Sequence, residues 1–196
     1  MKANNIEVYK SIIQESIRVK QSIFEDSDFL DEIEKVIILV TQAFTDGKKV
    51  LFCGNGGSAA DAQHLAAEFS GRFYKNRPPL YSEALHVNSS YVTAVANDFS
   101  YDEIYARMIQ AMGSKGDVLF AISTSGSSPN ITRAIEEAKL KGMVVVGMTG
   151  AKGGKMNEMC DYIFRVPSVD TPRIQESHIM IGHIICYQVE QNLFND

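Results

Sequence analysis

Apolar residues recur at helical spacing from Asn5 to about Asp26, and again from Ser27, an N-cap candidate, to Asp46-Gly47. This predicts a helical hairpin at the start of the chain. From Lys48 onward the period changes, and short apolar runs alternate with helical stretches. The runs Val50 to Cys53, Glu83 to Val87, Asp117 to Ser123, Met143 to Thr149 and Tyr162 to Val166 are the strand candidates. Hydrophobicity is continuous in Val118-Leu119-Phe120-Ala121-Ile122 and in Val144-Val145-Val146, which predicts strands covered on both faces. The expected class is α/β, a three-layer sandwich with a five-stranded parallel sheet flanked by helices. A last helix is expected from about Thr171-Pro172, where proline suits the first turn. No repeat, low-complexity stretch or linker interrupts the pattern, so residues 1–196 are expected to form one domain.

Composition narrows the partners. A chain of 196 residues that is 45% hydrophobic can build a real core. The net charge of −5 supplies no bulk attraction to phosphate backbones or anionic lipid, so neither nucleic acid nor a membrane is expected as a main partner. The longest apolar runs are far too short to span a bilayer and no signal peptide opens the sequence, so a cytoplasmic location is expected. Cys53, Cys160 and Cys186 are scattered in apolar surroundings without metal-ligand spacing, as reduced core thiols would be.

Two loops lie at predicted carboxyl ends of strands, where open parallel sheets bind ligands. The first, Cys53-Gly54-Asn55-Gly56-Gly57-Ser58-Ala59-Ala60, turns from strand to helix, and its amides can point at an anion. A tight turn needs glycine in any case, so this loop alone decides little. The second, Ser123-Thr124-Ser125-Gly126-Ser127-Ser128-Pro129-Asn130, has more hydroxyls than one N-cap requires and forms a plausible phosphate cup. Neither loop has the spacing of a P-loop or a dinucleotide site, so nucleotides are not the favoured ligand. On the helix after the first loop, Asp61, His64 and Glu68 are spaced by three and four and share one face. Such a pair is commonly a solvated one, but this pair starts on a ligand loop. Glutamate suits removal of a carbon-bound proton beside a carbonyl, and histidine suits zinc ligation or orientation. The last helix holds Gln175, His178 and His183 among isoleucines, company in which a histidine is usually a satisfied core residue. Gln175 and His183 lie about 12 Å apart along an ideal helix. One metal could take both only if the helix began after Gln175 or if neighbouring subunits shared the site, and a combination of these is expected. His86, at a strand end, reads more readily as structural, and Asn97-Asp98 reads as a C-cap or turn.

The chain resembles the phosphoheptose isomerases, a family of the sugar-isomerase (SIS) fold, over essentially its full length. The residues concerned are Cys53 through His64, Glu68, Ala96-Asn97-Asp98, Ser123-Thr124-Ser125-Gly126 with Ser128, Arg173-Ile174-Gln175-Glu176 and His183. The resemblance implies interconversion of sedoheptulose 7-phosphate and D-glycero-D-manno-heptose 7-phosphate, the first step toward nucleotide-activated heptose for bacterial surface polysaccharide. It also implies a homotetramer with active sites at subunit contacts. Carried over by position, Ser123, Thr124, Ser125 and Ser128 would hold the phosphate. Asn55, Gly56, Gly57, Ser58, Asn97 and Asp98 would line the sugar site, with Asp61, Asp170, Thr171 and Gln175 in support. Zinc would be ligated by His64, Glu68, Gln175 and His183. Glu68 is the expected carbon base and His183 its acid partner. The alternative of another class is an SIS regulator that binds the replication initiator without catalysis; such proteins typically lack side chains matching Glu68 and His183.

Overall fold

In the computed structural model, which describes residues 2–194 and the side chains of 5–194, a five-stranded parallel sheet lies between two helical layers. The strands are β1 (Val50–Gly54), β2 (Ser82–Ala84), β3 (Val118–Ile122), β4 (Val144–Gly150) and β5 (Tyr162–Val166), in the order β2-β1-β3-β4-β5. The helices are α1 (Lys2–Glu25), α2 (Ser27–Thr45), α3 (Gly57–Ser70), α4 (Ser89–Asp98), α5 (Ile104–Met112), α6 (Pro129–Leu140) and α7 (Thr171–Leu193). The expected three-layer sandwich is thus present, preceded by two helices joined through Asp26.

Side-chain alternation divides each strand between two cores. Phe52, Phe120, Val146 and Phe164 point to the layer of α2, α3 and α7, while Leu51, Leu119 and Val145 point to that of α5 and α6. On the first side an aromatic column runs from the sheet into the helices. Phe120 stacks on Phe52 at 4.9 Å between centroids, Phe52 on Phe69 at 6.4 Å, and Phe69 meets Phe44 at 5.1 Å. Each such contact adds about 0.5–1.5 kcal/mol beyond its buried area, which fixes α3 on the sheet. Helix α7 then approaches α3 closely at Gly182, where a Cβ would lie 2.4 Å from Cδ2 of Leu65. A side chain at Gly182 would push the two helices apart.

Some boundaries differ from expectation for identifiable reasons. Asp26, rather than Ser27, caps α2, its carboxylate accepting from the amide of Phe29. Edge strand β2 is shorter than Glu83 to Val87, because its pairing with β1 ends at Ala84 and Leu85-His86 turn away, Leu85 into the second core. Helix α7 is continuous from Thr171, as its proline suggests, which overturns a start after Gln175 as the way for one metal to take both Gln175 and His183. Asn97 and Asp98 are the last two residues of α4, and Phe99 occupies the cap position. Among the described residues, no helix is long and apolar enough to cross a membrane.

Candidate active site

The strand order reverses between β1 and β3, which run side by side from Val50 beside Val118 to Gly54 beside Ile122. A crevice opens at the carboxyl ends of strands at such a switch point, and both loops singled out in the sequence leave from it. Asn55 joins them: its side chain and that of Asn130, at the start of α6, exchange two hydrogen bonds of 2.8 Å each. Asn130 is buried, and the Tyr101 hydroxyl donates to Asn55 Oδ1 at 3.2 Å. Neither Asn130 nor Tyr101 was singled out for the site. The doubled β1–α3 and β3–α6 loops could have suggested a bridge, but not its partners.

The first loop is a tighter turn than an open anion cradle. The amides of Ser58 and Ala59 donate to the carbonyls of Asn55 and Gly56 at 3.0 and 3.1 Å, and Ser58 is buried. Gly56 has φ +56°, a conformation that only glycine adopts cheaply. Gly57 leaves room for the Gln175 amide, whose Nε2 would be 2.6 Å from a Cβ. Gln175 therefore lies over the start of α3.

The second loop forms the cup. Ser123 Oγ lies 3.0 Å from Ser128 Oγ and 3.4 Å from Ser125 Oγ. Gly126, at φ +65°, lets the loop pass against the glycines after β4, where a Cβ would be 2.0 Å from the Gly153 carbonyl. A cavity of about 240 Å³ opens beside it, lined by Thr124, Ser125, Ser168 and Thr171, with Lys152 as its one cation. Thr124 and Ser125 were expected here, whereas Thr171 was expected only as a supporting contact. Lys152 and Ser168 were missed, although both follow strands on the carboxyl side, the signal that pointed to the other loops. Asp170 sits at the N-cap position of α7 without a side-chain capping bond, next to this cavity. Exposed Asn97 and Asp98 hydrogen-bond to each other at 2.9 Å.

The third part of the site lies between α3 and α7. His64 Nε2 is 3.0 Å from Glu68 Oε1 and 3.4 Å from His183 Nε2. One ligand atom from each of these three residues lies within 4.8 Å of the others. Two imidazole nitrogens and a carboxylate oxygen converging in this way are a donor set suited to zinc. Burial lowers the His183 pKa, helped by His64 and opposed by Glu68, a shift toward the neutral ring that ligation or proton acceptance needs. Asp61 sits one turn before His64; burial pushes its carboxyl up to about 6 against the opposing pull of His64, and Oδ2 is buried without a partner. Gln175 is not with the three: on the uninterrupted α7 it lies two turns before His183, about 12 Å along the axis. His178 faces the other way, buried and bonded to the Thr149 carbonyl, the core role expected for such a histidine. His86 has a buried, unpartnered Nδ1, and burial lowers its pKa.

Comparisons with known proteins identify the family. The SIS domain family matches residues 4–150. The phosphoheptose isomerase of Aneurinibacillus thermoaerophilus is 52% identical over 95% of this chain and 94% of its own length. Among solved structures, the phosphoheptose isomerase from Neisseria gonorrhoeae superposes with a TM-score of 0.89 at 38% identity, covering 94% of this chain and 98% of that one. The one from Francisella tularensis gives 0.91 at 34% identity over 95% and 98%. The chain belongs to the phosphoheptose isomerases of the SIS domain family.

Proposed function

We propose that this chain converts sedoheptulose 7-phosphate to D-glycero-D-manno-heptose 7-phosphate through an enediol, with Glu68 and His183 as the proton-transfer pair. The observation that carries the assignment of roles is the convergence of Glu68, His64 and His183 on two facing helices. In the ketose-to-aldose direction, Glu68 takes the proton from C1, next to the C2 carbonyl, and the electron pair forms the C1–C2 double bond of the enediol. His183 moves a proton from the C1 hydroxyl to the C2 oxygen. Return of a proton from Glu68 to C2 leaves the aldehyde at C1. Asn55, Gly56, Gly57, Ser58, Asn97 and Asp98 line the sugar in this reading, with Asp61, Asp170 and Gln175 in support. No redox cofactor is needed, since hydrogen moves only between adjacent carbons and oxygens.

His64, Glu68 and His183 would hold zinc, with Gln175 as a further ligand if supplied from a neighbouring subunit. Zinc bound there would supply a Lewis acid for the carbonyl oxygen. Sharing between subunits is also supported by distance. Thr171, at the phosphate cavity, and His183 are twelve positions apart on α7, about 18 Å along the axis, more than the length of an extended heptose phosphate. The exposed Ile6, Tyr9, Ile13 and Ile17 form one face of α1, an apolar stripe suited to burial in a homotetramer. The whole chain acts in this reading as one SIS domain of the cytoplasm, feeding nucleotide-activated heptose for bacterial surface polysaccharide.

Ser123, Thr124, Ser125, Ser128 and Thr171 hold the phosphate, remote from the reacting carbons. Its binding therefore stabilises ground and transition states alike. Ser125→Ala is expected to raise KM several-fold with kcat nearly unchanged, as read from steady-state kinetics. A fall confined to kcat would remove Ser125 from the phosphate cup. Conversion of sedoheptulose 7-phosphate by the purified protein, with and without a chelator, tests the whole reading.

A further inference from the structure

Helix α3 ends two residues after Glu68, and its last carbonyls need partners that the helix cannot supply. They find one guanidinium. Arg77 donates through Nη2 to the carbonyl of Glu68 itself at 2.8 Å, and through Nη1 to that of Phe69 at 2.7 Å. A cation at a helix C-terminus also complements the helix dipole. The same guanidinium donates through Nε to Glu190 Oε1 at 3.0 Å, and Glu190 lies on α7, two turns beyond His183. The two side chains are 2% and 1% exposed, in a chain whose other charged groups mostly face water.

The Glu190 carboxylate is saturated. It accepts from the amides of Phe73, Tyr74 and Lys75 at 3.1, 2.8 and 2.9 Å, as well as from Arg77. Burial works against its charge, but these donors prevail and hold its carboxyl below the ordinary glutamate value. The segment after α3 is thereby wrapped around a carboxylate that belongs to α7. In that position the Phe73 ring packs on the His183 ring at 5.6 Å between centroids, and Tyr74 meets Tyr187 edge to face.

We propose that Arg77 and Glu190 are positioning residues for the isomerase site: together they lock the end of the Glu68 helix to the His183 helix and so set the separation of the three converging side chains. The inference rests on the reading of Glu68 and His183 as the reacting pair. Its mechanical basis is independent, since Arg77 grips the backbone of Glu68 while Glu190 holds the backbone amide of Phe73, whose ring packs on His183. Lysine cannot replace Arg77, because a single ammonium lacks the planar fork that reaches a carboxylate and two carbonyls at once.

The test compares Glu190→Gln and Arg77→Lys with a control of the same kind elsewhere. Asp117, 1% exposed at the opposite end of the sheet, accepts from the amides of Lys49 and Ser114 and pairs with Lys49 Nζ at 2.6 Å. Asp117→Asn should lower Tm and leave turnover and metal affinity alone. At a comparable fall in Tm, the clamp variants are expected to lose about tenfold or more in kcat with KM within twofold. They should also bind zinc, titrated alone against a chromophoric chelator, about 10–100-fold more weakly. Wild-type kcat and zinc affinity in a folded clamp variant would overturn the proposal and leave the pair a purely structural one. If Glu190→Gln does not fold, Arg77→Lys alone decides, since it keeps a cation beside the carboxylate. Glu68→Gln is measured in parallel. Wild-type turnover in that variant would instead sink the assignment of Glu68, and the zinc affinities would still report on the clamp.

Discussion

Glu68→Gln is expected to lower kcat by about a hundred- to ten-thousandfold, the range over which a positioned base contributes, with the fold intact. Glutamine has the same shape, and its carbonyl oxygen can still accept from His64 Nε2, which lies 3.0 Å from the native carboxylate. What it lacks is the basicity and charge of a carboxylate, so removal of the C1 proton loses its acceptor and zinc held there would lose an anionic ligand, which is why added zinc is kept in the assay. The side chain is only partly buried and projects from α3 between two histidines, so the change disturbs little packing. Thermal melting should move by no more than a few degrees. Turnover within a few-fold of wild type, in a variant that melts normally, would remove Glu68 as the base and require the proton to go elsewhere.

Buried His178 should withdraw stability in mild acid, while the raised carboxyl of Asp61, which binds a proton more readily in the folded chain, works the other way. Its ring is fully buried between α7 and the end of β4, Nε2 lies 3.2 Å from the Thr149 carbonyl, and Nδ1 has no partner. Burial pushes its pKa down to about 4, with the carbonyl contact opposing. In the unfolded chain the ring titrates near ~6.5. Below that value the unfolded state takes up a proton that the folded state refuses, so the contribution of His178 is full above pH ~6.5 and is lost as pH falls toward ~4. Each pH unit in that window costs about 1.4 kcal/mol, or roughly 3 kcal/mol in total. His178→Gln, which retains a donor for Thr149, should remove this loss, so that its unfolding free energy falls less than that of the wild type between pH ~6.5 and ~4. Parallel curves for the two proteins in that window would show that the ring is not held neutral.

The sheet was legible because its central strands are covered on both faces, which turns Val118 to Ile122 and Val144 to Val146 into uninterrupted apolar runs. The same signal misled at the edge. Leu85 and Val87 prolong the apolar run of β2, but no register with β1 remains for them, and the chain turns. The histidine–glutamate spacing on α3 was readable as one helix face, since it depends only on helical period. That His183 completes the cluster depends on how α7 crosses α3 at Gly182, which no local pattern states. Arg77 and Glu190 illustrate the limit most clearly. At 113 residues apart, each looks like an ordinary solvated charge, and only the packing of α7 against the end of α3 makes them a buried pair. The asparagine pair Asn55–Asn130 was hidden in the same way, across 75 residues.

Isomerisation of a ketoheptose phosphate is read by supplying sedoheptulose 7-phosphate to the purified, folded protein with added zinc and detecting the aldoheptose 7-phosphate. The account predicts product, with loss on chelation and recovery when zinc is restored. A folded protein that forms no aldoheptose under these conditions would contradict the assignment.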